Sequence, residues 1–149
     1  MSTPITAALV KELRERTGAG MGDCKKALDA TGGDLDKAAE KLRMDGSAKA
    51  DKKASRIAAE GVLAIAGNDQ AVAIVELNSE TDFVAKGDDF RTLARKAAEA
   101  AHAHKPADAA ALSQLKAGDA TLDEHRRTLI GKIGENMTIR RFQIVESAG

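Results

Sequence analysis

Tryptophan and tyrosine are absent from this sequence, and three phenylalanines are its only aromatic residues, 2% of 149. A hydrophobic core must therefore be assembled from Ala, Leu, Ile and Val. The single cysteine, Cys24, excludes an internal disulfide. No apolar stretch has the length of a signal peptide or a membrane span, and no segment resembles an Arg-rich presequence, so a cytoplasmic location with no membrane contact is expected. There is no charge imbalance either: 23 Lys and Arg face 23 Asp and Glu. A molecule without a net field has nothing to attract nucleic acid or a membrane surface nonspecifically, which leaves a protein or a small ligand as the expected partner. The first 57 residues are slightly basic and the rest slightly acidic, an asymmetry too mild to decide anything.

With 43% hydrophobic and 31% charged residues, the chain has material for one modest core and a small satellite module. Ile5, Leu9, Val10 and Leu13 form a helical stripe, predicting a helix over about 6–16 with Thr6 as N-cap and Gly18 and Gly20 as stops. Met21, Cys24, Ala27 and Leu28 form a second stripe, ended by Gly32-Gly33. Asp34 then caps a third, carrying Leu35, Ala38, Ala39 and Leu42 and stopping before Gly46. Residues 1–46 thus read as a three-helix bundle, in which Lys25 and Lys26 are solvated helix charges. Residues 47–57 lose apolar periodicity and become small and basic, the composition of a linker or exposed helical tether. Without aromatic platforms, this basic run is a weak signal for RNA, and a solvated linker is the favoured reading.

From residue 58 the pattern changes. Gly61–Ala66 and Ala71–Asn78 are β-type runs joined by Gly67-Asn68-Asp69-Gln70, a hairpin composition that lacks the ligand spacing of a phosphate or calcium loop. Both runs are apolar at nearly every position, which implies cover on both faces, by helices or by a neighbouring element. Asp88 or Asp89 is expected to cap a helix whose Phe90, Leu93, Ala94, Ala97 and Ala101 form one apolar face, ended by Lys105-Pro106. His102 and His104 are two apart, so they point to different sides of that helix, and no metal site is expected. Asp108 opens a short helix with Ala111, Leu112 and Leu115, stopped at Gly118. Thr121-Leu122-Asp123-Glu124 has capping-box form ahead of Leu129, Ile130 and Ile133, with Gly134 closing that helix. Residues 137–145 read as a third strand whose register is left open by Arg140-Arg141, and Glu146–Gly149 as a frayed end. The expected fold class is α+β: the bundle over 1–46, a basic linker over 47–57, and over 58–149 a small three-stranded antiparallel sheet packed with helices.

One stretch stands apart from this frame. Asn78-Ser79-Glu80-Thr81-Asp82-Phe83-Val84-Ala85 places a phenylalanine in a strand-to-helix connection with polar neighbours. The ring either folds under its own sheet, as most aromatics do, or projects toward a partner. An enzyme finds no support: no cysteine has a plausible histidine partner, no serine sits in a Gly-flanked elbow, and no glycine loop cradles phosphate. No cofactor is expected.

Three further segments join that octapeptide: Leu13–Met21, Asp23-Cys24-Lys25-Lys26-Ala27-Leu28 and Lys132-Ile133-Gly134-Glu135-Asn136. Together, in order and correctly spaced, they resemble bacterial elongation factor Ts across almost the whole chain. The resemblance implies a bundle of the ubiquitin-associated (UBA-like) type whose Leu13–Met21 segment packs on the nucleotide domain of elongation factor Tu. Arg14 and Met21 map onto family contact positions, and Lys11 lies one turn before Arg14 on a similar face. Met21 as a plain core residue remains open, and Gly22 stands where a second Met is frequent. The family's Thr-Asp-Phe-Val element, here Thr81, Asp82, Phe83 and Val84, enters elongation factor Tu, and its Phe wedges beside the Mg2+ and phosphate site of the bound nucleotide. The implied activity is guanine nucleotide exchange, with Asp82 assisting by hydrogen bonding or by repelling phosphate. Family members usually continue into a second half of the core, so this sequence, ending at Gly149, is expected to bind more weakly than a full-length relative. The rival reading is a helix-binding adaptor, recognising its target through Met21 and indifferent to Phe83.

Overall fold

A computed structural model describes residues 4–147. Three helices come first: α1 (Ala7–Thr17), α2 (Met21–Ala30) and α3 (Leu35–Lys53). Their ends follow the capping chemistry of the sequence. Thr6 Oγ1 accepts from Leu9 N at 3.1 Å, Gly18 closes α1 in the left-handed region at φ 71°, and Asp34 Oδ1 accepts from Lys37 N at 3.0 Å. Val10, Leu13, Cys24, Ala27, Leu28 and Ala38 form the small core of this bundle.

The stop expected at Gly46 does not occur. A glycine inside a helix costs roughly 1 kcal/mol relative to alanine, so the sequence signal favoured an end there. Packing overrides it, because α3 crosses α7 (Leu122–Ile133) at this point and the two backbones approach closely. A Cβ on Gly131 would lie 3.0 Å from the Gly46 Cα. Residues 47–53, expected as a linker, are the last two turns of α3. Ala50 belongs to the main core, and Arg127 of α7 donates to Asp51 Oδ1 at 2.9 Å and to the Ser47 carbonyl at 3.4 Å.

β1 (Glu60–Gly67) and β2 (Ala71–Ser79) form the expected antiparallel hairpin, with Asn68 Oδ1 accepting from Gln70 N and Ala71 N at the turn. β5 (Met137–Glu146) pairs antiparallel with the other edge of β2, giving the order β1-β2-β5. Its register shifts once: Glu76 faces Arg141 and Leu77 faces Ile139, so Arg140 is a bulge residue. That is why the two arginines break the alternation. The strand end is not frayed at Glu146, which pairs with Ala71, and Ser147 N donates to the Gln70 carbonyl at 2.7 Å; Ala148 and Gly149 lie outside the described residues.

One face of the sheet is covered by α5 (Asp88–His104), which lays Phe90, Leu93, Ala94, Ala97 and Ala101 on it, the face expected from the sequence. The other face has no covering layer among the described residues. Leu63 and Ile65 on the edge strand β1 are 66% and 65% exposed, so the cover on both faces that these apolar runs implied is absent for β1. Neither Asp88 nor Asp89 is a cap: Gly87 holds that position and both acids sit in the first turn of α5, where the helix dipole favours them. Lys105 ends α5 in the left-handed region at φ 44°, since the residue before Pro106 avoids the helical one. α6 (Ala109–Ser113) is capped by Asp108 as expected, but it ends well before Gly118, which forms the turn of a minimal hairpin, β3 (Lys116–Ala117) with β4 (Ala120–Thr121). Thr121 then caps α7 and Gly134 closes it at φ 89°. The result is an α+β molecule with seven helices and a three-stranded antiparallel sheet among the described residues. No described helix is long and apolar enough to cross a membrane.

Candidate functional site

At the end of β2 the chain turns sharply into a single helical turn, α4 (Asp82–Ala85). Buried Ser79 donates from Oγ to the Thr81 carbonyl at 2.8 Å, and Thr81 Oγ1 accepts from Val84 N at 3.3 Å, capping the turn. With Thr81 as the cap, successive side chains divide between the two sides. Val84 and Ala85 pack into the main core, while Asp82 and Phe83 face outward. Phe83 is 85% exposed. Leaving such a ring in water forgoes about 1.5–3 kcal/mol of burial, whereas Phe90, a few residues away, is buried completely. The open question of whether the ring plugs its own sheet is thereby answered: it does not.

One ion pair lies on the turn and another joins β2 to β5. Lys86 Nζ lies 3.5 Å from Asp82 Oδ2, a wide contact between exposed groups worth little. Glu76 bonds with Asn78 Nδ2 at 3.0 Å and Arg141 Nε at 2.7 Å, which, in that order of effect, hold its carboxyl below the usual range. The turn itself is tied to the residues after α7, where Glu135 accepts both Thr81 N and Thr81 Oγ1 at 3.0 and 2.8 Å. Sequence reasoning gave Glu135 no role. Its signals were its place directly behind the helix-ending Gly134 and its membership of the Lys132–Asn136 segment that carries part of the resemblance.

The N-terminal candidates lie elsewhere. Lys11 and Arg14 are exposed on α1, and Met21 opens α2 at 57% exposure, so it is not a core methionine. The bundle core beneath these three is separate from the core beneath the Phe83 turn. The fold therefore offers two candidate contact surfaces, and Thr81–Val84 is gathered in one element. Val84 is 9% exposed, so its side chain anchors the turn from inside. His102 and His104 occupy the last turn of α5, and among the described residues no group of three or more His, Cys, Asp or Glu side chains is placed to hold a metal ion.

A protruding apolar side chain on a braced turn is suited to insertion into another macromolecule. The sequence is 57% identical over 148 residues to elongation factor Ts of Hydrogenovibrio crunogenus, an alignment taking in 97% of this chain and 50% of the relative. It is 53% identical over 146 residues to that of Thioalkalivibrio sulfidiphilus and 54% over 147 to that of Methylobacillus flagellatus, with the same coverage. A family model described as Elongation factor TS matches residues 80–149, beginning at the Phe83 turn. The chain belongs to the elongation factor Ts family. It spans about half the length of the curated elongation factor Ts relatives it matches.

Proposed function

We propose that this chain acts in translation as a guanine nucleotide exchange factor for elongation factor Tu, promoting GDP release without covalent chemistry. The observation that carries the reading is Phe83, 85% exposed on a turn fixed by its neighbours. In this reading the Thr81–Val84 element enters the partner near its Mg2+ and phosphate site, with Phe83 as the wedge, Asp82 beside it, and Thr81 and Val84 holding the turn. The bundle, of UBA-like type, docks separately through Lys11, Arg14 and Met21.

The mechanism is linkage. A protein that binds a distorted, nucleotide-poor GTPase more tightly than the GDP-bound form lowers GDP affinity by the same factor. Burying one Phe contributes about 1.5–3 kcal/mol, whereas swinging a two-state equilibrium from one extreme to the other takes roughly 5.5 kcal/mol of differential binding. Phe83 alone is therefore insufficient. The remainder comes from the docking surface and from displacement of Mg2+, whose charge is the strongest local attraction for the phosphates.

Release of labelled GDP from elongation factor Tu, measured with the wild-type chain and with Phe83→Ala, tests the proposal. Slower release by the variant supports the wedge. Release at the wild-type rate rejects it, and binding that survives Phe83→Ala but is lost in Met21→Ala would point to the adaptor instead.

A further inference from the structure

The base of the Phe83 turn is held by a reciprocal exchange between two dipeptides 55 residues apart in the chain, Glu80-Thr81 and Glu135-Asn136. Glu135 Oε1 accepts from Thr81 N at 3.0 Å, and Glu80 Oε2 accepts from Asn136 N at 2.9 Å. Each acid thus satisfies the backbone amide that follows the other acid. Glu135 Oε2 also accepts from Thr81 Oγ1 at 2.8 Å, while Arg56 Nη1 reaches Glu80 Oε2 at 3.5 Å and Asn136 Nδ2 donates to the Arg56 carbonyl at 2.8 Å. Asn136 is 4% exposed, and its side chain makes this bond from a buried position.

Thr81 Oγ1 works in both directions. It donates to Glu135 and accepts from Val84 N, so the carboxylate fixes the orientation of the hydroxyl that caps α4. A helix of four residues has no stability of its own, because nucleation is the costly step. The pose of Phe83, second residue of that turn, therefore depends on what grips Thr81. Carboxylate bonds to N–H and O–H groups are about twice as strong as neutral ones, and two on one residue restrain both position and rotation.

From this geometry we infer that Glu135 is the positioning residue for Phe83. It presets the turn so that the ring enters the partner without an ordering cost at the moment of nucleotide release. The inference rests on the exchange reading above and deepens it. Initial docking through the separate α1 and α2 surface does not involve Glu135, so its loss acts on the release step rather than on encounter. Loosening the ring's placement without removing it is expected to lower the maximal rate about tenfold, less than the roughly 100-fold that a full ~1 Å misplacement of a reacting group can cost.

The experiment is labelled-GDP release from elongation factor Tu at increasing concentrations of the chain, well below its melting transition, for the wild type, Glu135→Ala, Glu135→Gln, Phe83→Ala and the Phe83→Ala/Glu135→Ala double variant. Glu135→Ala should reduce the maximal rate about tenfold while the half-saturating concentration changes less than about twofold. Glu135→Gln, which keeps an acceptor for Thr81 N, should recover most of the rate. If Glu135 acts through Phe83, the double variant should be no slower than Phe83→Ala alone. Should Glu135→Ala fail to fold, Thr81→Val, which removes the gripped hydroxyl, is read in the same way. A wild-type maximal rate for Glu135→Ala with a slow Phe83→Ala overturns the positioning role and leaves the wedge standing. So does a double variant slower than Phe83→Ala by the full Glu135 factor. A wild-type rate for Phe83→Ala overturns the exchange reading and this inference with it.

Discussion

Phe83 and Phe90 lie seven residues apart, and removing either ring deletes the same atoms with opposite expected consequences. Phe90 is fully buried in the main core, so Phe90→Ala should destabilise by about 3–5 kcal/mol through lost burial and the cavity left behind. That is a large part of the roughly 5–15 kcal/mol that holds a domain of this size together. Phe83 is 85% exposed, so Phe83→Ala should move stability by no more than about 0.5 kcal/mol. Its effect belongs to the complex. If the ring is buried in the partner only in the nucleotide-poor state, its loss withdraws about 1.5–3 kcal/mol of differential binding, or roughly 10- to 150-fold in release rate. Urea unfolding followed by circular dichroism, beside stopped-flow release of labelled GDP, reads both quantities on the same samples. Should Phe83→Ala shift the unfolding midpoint as far as Phe90→Ala does, the ring would be a structural member of its own molecule, and the argument from exposure would fail. A release rate within twofold of wild type would end the wedge mechanism whatever the stability result.

Other consequences follow from the α3–α7 crossing and from the bundle core. A Cβ at Gly46 meets only the Arg127 carbonyl, at 3.6 Å, so Gly46→Ala should stabilise by about 0.5–1 kcal/mol through helix propensity, raising the urea midpoint. Gly131→Ala has the same propensity gain but drives its methyl to 3.0 Å from the Gly46 backbone, so its midpoint should fall below that of Gly46→Ala. Burial raises the pKa of Asp123, but the bonds from Arg126 and Arg127 outweigh it and hold the carboxyl below its usual range. A depressed pKa means stability present above the unfolded value and lost as pH falls through the folded one. The stability advantage of wild type over Asp123→Asn should therefore shrink below about pH 4, as unfolding curves at stepped pH will show. Cys24 is fully buried and its thiol is pushed up chiefly by desolvation, so a thiol reagent at neutral pH should label it far more slowly in the native than in the urea-unfolded chain.

Much of this architecture is a local property of the chain. Thr6, Asp34, Asp108 and Thr121 cap helices where the sequence places them, because a short polar side chain satisfies the first free amides whatever the surroundings. The apolar period of Phe90, Leu93, Ala94, Ala97 and Ala101 fixes which face of α5 meets the sheet, and the Asn68 turn fixes the hairpin. The matches around Phe83 point to the family from the sequence alone. Other features are decided by residues distant in sequence. Gly46 reads as a stop until Gly131 is brought against it, and 47–53 reads as a linker until Ala50 and Asp51 find the core and Arg127. The exposure of Phe83 depends on which neighbours Val84 and Ala85 can reach, and the grip of Glu135 on Thr81 depends on α7 ending beside β2. Caps and periodicities act within a few residues, whereas close backbone approach, the choice of buried ring and a carboxylate clamp arise only when separate elements share a volume.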